Sequence, residues 1–133
     1  MPFEQLNIEI DVAETITRYI FDDVHFAATT AVVKPKAWMP APDNQTSVSR
    51  ITNLAENEVW ELGREEIEPL RNRIILARAD IAVRTVIGFG LRVESFEPPP
   101  RHANVGAWPT DKDAKKSIAQ LLAAESCLGV RPK

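Results

Sequence analysis

Three consecutive prolines, Pro98–Pro100, lead directly into an arginine, a histidine and a nearby tryptophan in the stretch EPPPRHANVGAWP, residues 97–109. Proline fixes φ near −65° and offers no N–H, so neither a regular helix nor a central strand passes through such a run. Three in succession favour a stiff, extended left-handed segment that delivers the next residues to a defined place. A second cluster, Pro35, Pro40 and Pro42 in VKPKAWMPAPDNQ, ends on a turn-forming Pro-Asp-Asn, and residues 34–45 read as a loop.

The remaining stretches carry the regular elements. LNIEI alternates and reads as a short strand, residues 6–10. Asp11 is then placed to cap a helix, VAETITRYIF, with Val12, Ile16, Tyr19 and Ile20 on one face. Val24 to Val33 is rich in β-branched residues and reads as extended. TSVSRI forms a strand, and Asn53 with Glu56 opens a helix that carries Val59, Trp60 and Leu62 and stops at Gly63. Pro69 forbids one continuous helix through REEIEPLRN. RIILARA, residues 73–79, suits a strand, with Asp80 capping a short helix that ends at Gly88 or Gly90. LRVESFE sets Leu91, Val93 and Ser95 against Arg92, Glu94 and Phe96. Thr110 and Asp113 form a capping-box start for a helix whose stripe is Ala114, Ile118, Leu121 and Leu122, stopped by Gly129. These elements make an α+β fold: one domain over residues 1–128, a small mixed or antiparallel sheet covered by two to four helices, the C-terminal helix packed on it, and a flexible tail over 129–133.

Composition narrows the function classes. With 44% hydrophobic and 26% charged residues the chain is ordinary for a globular domain. A net charge of −3, with Lys and Arg spread along the chain, argues against a general nucleic-acid binder. Cys127 is the only cysteine, which excludes an internal disulfide and a cysteine metal cluster; it is expected as a small, buried or half-buried thiol near a helix end. No Gly-x-Ser-x-Gly elbow, phosphate loop or His-Glu-x-x-His spacing occurs, so no cofactor and no metal are expected. The opening MPFEQLNIEIDVAE carries acids where a signal peptide is basic and then apolar, and no apolar run approaches the ~20 residues of a membrane span. A cytoplasmic location without membrane contact is the resulting expectation.

Several side chains invite a chemical reading, each beside a plain one. If HANV is extended, His102 and Asn104 point to one side as acid/base and amide orienter, with Arg101 near for an anion and Trp108 as an apolar wall. Equally, the first two satisfy loop main chain and the tryptophan plugs the core edge. His25 pairs with Asp23 on a strand face, holding a tautomer or merely solvated. Arg50 offers a bidentate contact to a carboxylate or phosphate, on the strand face opposite Ser47 and Ser49. Arg78 with Asp80 is either an anion contact or an ion pair. Trp38 and Met39, between Pro35 and Pro40, are an exposed surface for a partner or a lid folded onto the core.

As a set, VKPKAWMP, SVSR, EVWELG, GLRVE and PPPRHANVGAWP resemble an uncharacterised family of small bacterial proteins, over about His25 to Leu128. In that family the segment after the histidine closes on Gly-Trp-Pro; here VGAWP puts an alanine before the tryptophan. The resemblance implies a bacterial, cytoplasmic single domain and carries no activity. Two functions are then expected. The first is a non-enzymatic binding or accessory protein that recognises a protein partner through loops 34–45 and 97–109, whose stiffness lowers the entropy cost of association. The second is a small enzyme or ligand binder for an anionic, nucleotide-like molecule. Its acid/base would be His102, its orienter Asn104, and its anion contact Arg101, Arg78 or Arg50. A cleft shared by His25, Arg50, Arg78 and His102 would favour that function.

Overall fold

A computed structural model describes residues 6–132. Its strands are β1 (Thr15–Ile20), β2 (Phe26–Ala27), β3 (Val32–Val33), β4 (Thr46–Arg50), β5 (Ala77–Ala82), β6 (Arg92–Ser95), β7 (His102–Gly106) and β8 (Cys127–Val130). The helices are α1 (Glu56–Leu62), α2 (Glu68–Arg71), α3 (Val83–Gly88) and α4 (Lys112–Glu125). Six strands form one antiparallel sheet in the order β6-β7-β4-β1-β5-β8, and β2 with β3 makes a separate small hairpin. The fold is α+β, with helices on both faces of the sheet.

β1 replaces the helix expected over residues 12–21. Its sequence TITRYI is dominated by β-branched and aromatic side chains, which fit a pleated surface better than a helix interior. Ile16 and Ile20 lie four apart, so they share a face in either geometry. In the strand they join Val48, Ala77, Ala79, Ile81, Ala103 and Val105 in the larger core, which α3, α4, Trp38 and Trp108 cover. Tyr19 points the other way, into a second core with Val59, Leu62, Ile67 and Ile75. Residues 6–10 are not a strand, and Ile8 is 79% exposed. β5 begins four residues later than expected, so Asp80 lies within a strand and caps nothing; α3 starts after Ala82.

Gly63 does not stop a helix. The chain runs from α1 through a wide π-turn, Gly63–Ile67, into α2, where the Glu68 N–H donates to the Gly63 carbonyl. Glycine is needed for close approach, since a Cβ there would stand 2.6 Å from Ile75 Cδ1 and 2.8 Å from Tyr19 Cε1. Pro69 is accommodated because it falls in the first turn of α2, where its missing N–H costs nothing. The helical stretch ends at Asn72, in the left-handed conformation with φ 51°.

The cap of α4 is Asp111, whose carboxylate accepts from the Ala114 N–H at 2.9 Å, not the Thr110–Asp113 pair. Its buried face is Ala119, Leu122 and Ala123, while Leu121 is 48% exposed. The expected stripe is thus turned by about one position. Leu122→Ala should lower stability by about 2–5 kcal/mol, and Leu121→Ala by about 0.5 kcal/mol or little more; urea melts of both variants check this. Beyond Glu125 the chain enters β8, which pairs along the edge of β5 with Gly129 opposite Arg78. Residues 129 and 130 therefore belong to the sheet and not to a loose tail, and Cys127 is exposed on a strand, not half-buried on a helix. Among the described residues no helix is long and apolar enough to cross a membrane.

The triple proline is a hairpin corner. Residues 97–101 connect β6 to β7: the Phe96 N–H donates to the His102 carbonyl, the His102 N–H to the Pro99 carbonyl, and the Glu97 carboxylate accepts from the Arg101 N–H. The extended left-handed arm expected from Pro98–Pro100 is absent, and the residues after it form a strand flanked by β6 and β4.

Candidate functional site

β7 places His102 and Asn104 half-buried on one face, with Ala103 and Val105 fully buried on the other. His102 Nδ1 lies 2.9 Å from the Phe96 carbonyl. A carbonyl only accepts, so Nδ1 carries the proton and Nε2 holds the lone pair of the neutral ring. Burial pulls its pKa below the ordinary histidine value; the Phe96 carbonyl opposes this and the charges of Arg71 and Arg18 add to it. Asn104 lines a hollow with Gln45, Asp43 and Glu94, and the two carboxylates of Asp43 and Glu94 repel an anion.

The other expected site residues are spoken for. Arg50 is 1% exposed and grips Glu14 bidentately, Nε to Oε1 at 2.8 Å and Nη2 to Oε2 at 2.7 Å. Arg101 is buried and donates through Nη1 to the carbonyls of Arg50 and Thr52. Arg78 is held by Glu56 and Asp80 and stacks 4.8 Å from the centroid of Trp60. Trp108 is a core plug whose Nε1 donates to the Val105 carbonyl. Trp38, expected at the surface or as a lid, is fully buried, and Met39 beside it is half-buried. His25 lies in a short 3-10 turn, Asp23–His25, and the carboxylate that acts on it is Asp22, not Asp23. The shared cleft of His25, Arg50, Arg78 and His102 does not form.

A different arginine makes the site. β1 and β4 pair only at Ile16–Arg50 and Thr17–Ser49, although β1 runs on to Ile20 and β4 starts at Thr46. Beyond the second pair the Arg18 side chain reaches across to β4. Its Nη1 donates to the Ser47 carbonyl at 2.8 Å and its Nε to the Ala37 carbonyl at 3.0 Å. Both acceptors are neutral. Among the described residues no carboxylate forms an ion pair with Arg18. Burial, with the charge of Arg71 adding to it, draws the guanidinium down to about 10.

Arg18 opens onto a cavity of about 190 Å³ walled by His25, Arg71, Arg73 and Asp22. Phe21 holds the two wall arginines, their guanidinium carbons 5.5 and 5.9 Å from its ring centroid, and Arg73 also donates to the Phe21 carbonyl. The one carboxylate in the wall, Asp22, is engaged in capping the turn, where it accepts from the Val24 N–H. Burial lowers the pKa of His25; Asp22 opposes that, and Lys36, Arg18 and Arg73 reinforce it. Both histidines thus sit in the field of the same half-buried arginine. Among the described residues no group of His, Cys, Asp and Glu is placed to hold a metal ion.

Local sequence pattern hides Arg18, Arg71 and Arg73, because a helix over residues 12–21 turns Arg18 to water. A strand register for TITRYI places it between Ile16 and Ile20, facing inward. No protein-family model matches the chain, and neither a curated protein nor a solved structure does.

Proposed function

We propose that the protein binds a small anionic molecule, one bearing a phosphoryl or carboxylate group, in the cavity floored by Arg18. The observation that carries this reading is the half-buried Arg18 guanidinium, which forms no ion pair and lines the cavity with two further arginines. Withdrawing a charge from water costs several kcal/mol unless an opposite charge compensates it. Two carbonyls satisfy hydrogen-bonding geometry but leave the net charge standing. An anion seated between Arg18, Arg71 and Arg73 supplies the compensation through charge-assisted hydrogen bonds. The volume lies below the roughly 300 Å³ where drug-sized ligand sites begin, so a phosphoryl or carboxylate head fits and a whole nucleotide does not. His25, neutral at pH 7, adds one donor and one acceptor to hold the remainder of the ligand.

Calorimetric titration with inorganic phosphate and with small phosphorylated and carboxylated metabolites tests this. Arg71 and Arg73 are exposed, so Arg71→Ala and Arg73→Ala should leave the fold intact and each weaken binding about tenfold, the equivalent of one lost charged hydrogen bond. Arg84→Ala, at an exposed position on α3, should change nothing. If no anion binds at millimolar concentration, or the Arg71/Arg73 double variant binds as wild type does, the reading is wrong.

A further inference from the structure

A second concavity, of about 710 Å³, lies on the far side of the segment that carries His25 and Ala37. Its floor is apolar, made by Val24, Pro35 and Met39, and Val24 is 60% exposed. Four lysines rim it: Lys34 and Lys36 from the proline-stiffened loop, Lys112 and Lys116 from α4. No carboxylate lines it, and among the described residues none of the four lysines forms an ion pair. Lys112 and Lys116 are four apart on a helix, a spacing at which like charges repel. This concentration of positive charge stands on a chain whose net charge is −3.

We propose that this groove docks an acidic amphipathic peptide segment of a partner protein, its apolar side chains on Val24 and Met39 and its carboxylates against the four ammonium groups. Charge complementarity selects the sign of the partner, because carboxylates relieve a repulsion that the free protein carries. The aliphatic floor selects a peptide over nucleic acid. Single-stranded nucleic acid is gripped by aromatic platforms and arginines, and the groove has neither. Pro35 opens a short turn, Pro35–Ala37, that fixes the backbone carrying the loop lysines, which lowers the entropy cost of docking. This site shares no lining residue with the anion cavity.

The test is fluorescence anisotropy with a labelled peptide of Glu and Leu residues in helical spacing, against an all-Glu peptide of equal length and a single-stranded oligonucleotide. The Glu/Leu peptide should bind at least tenfold more tightly than either control. Lys112→Glu with Lys116→Glu, and separately Val24→Asp, should each weaken it at least tenfold, while Arg71→Ala leaves it unchanged. Circular dichroism confirms that the variants fold. Equal binding of the all-Glu peptide, tighter binding of the oligonucleotide, or indifference to the lysine reversals overturns the proposal. So does a concentration-dependent dimer that occupies this face in the absence of peptide.

Discussion

Trp38→Ala is expected to lower stability by about 3–5 kcal/mol and to abolish both concave sites with it. The indole is fully buried in the larger core. Its Nε1 donates to Ser126 Oγ at 2.9 Å, tying the proline loop to the end of α4, and its carbonyl accepts from the buried Thr46 hydroxyl at 3.0 Å. Ala37 on one side presents the carbonyl that holds Arg18, and Met39 on the other lines the lysine groove. Removing the ring leaves a large void where this segment packs on the sheet. Trp38→Phe keeps most of the burial and loses the donor, so its cost should be much smaller, about 1–2 kcal/mol. Urea unfolding of both variants, followed by anion titration, measures the two effects. An alanine variant as stable as wild type would show that the loop does not depend on this anchor.

Glu14→Gln should cost about 3–5 kcal/mol, because it leaves a buried charge without its partner. Arg50 is 1% exposed, and Glu14 receives two of its hydrogen bonds in addition to the Asp11 N–H. Burial pushes the Glu14 carboxyl up. The Arg50 hydrogen bond, the Asp11 hydrogen bond and the Arg50 charge together outweigh this, and its pKa lies below the ordinary glutamate value. A carboxyl that is more acidic folded than unfolded stabilises the fold fully above its unfolded value of about 4.3. That contribution is lost as pH falls from there through the lower folded value. Wild-type stability should therefore drop through this acid window while the glutamine variant drops less. Parallel acid profiles would remove Glu14 as a source of the pH dependence.

The elements whose pattern fits only one geometry are legible in the sequence. β6 alternates as LRVESFE requires, β7 sets His102 and Asn104 against Ala103 and Val105, and α4 is too long and periodic to be anything else. β1 is not, because the four-residue spacing of Ile16 and Ile20 serves a helix and a strand equally. That one ambiguity hides the anion cavity, since Arg18 turns inward only in the strand. The arginines that are visible, Arg50, Arg78 and Arg101, stand out by sequence neighbourhood. The Arg78–Asp80 pair is legible two residues apart, whereas the partners Glu14, Glu56 and the Thr52 carbonyl lie at sequence distances that local pattern does not reach. Pro98–Pro100 read as a rigid arm because three prolines in isolation are one; between two paired strands they become the bend.

The two-pair contact between β1 and β4 has a mechanical consequence. Six residue pairs join β1 to β5, and four join β4 to β7, so the sheet is two three-stranded leaves stitched along a short seam. One arginine side chain, Arg18, bridges the leaves beyond these rungs by donating to the Ser47 carbonyl of β4. Whatever alters the charge on that guanidinium acts on the joint between the leaves.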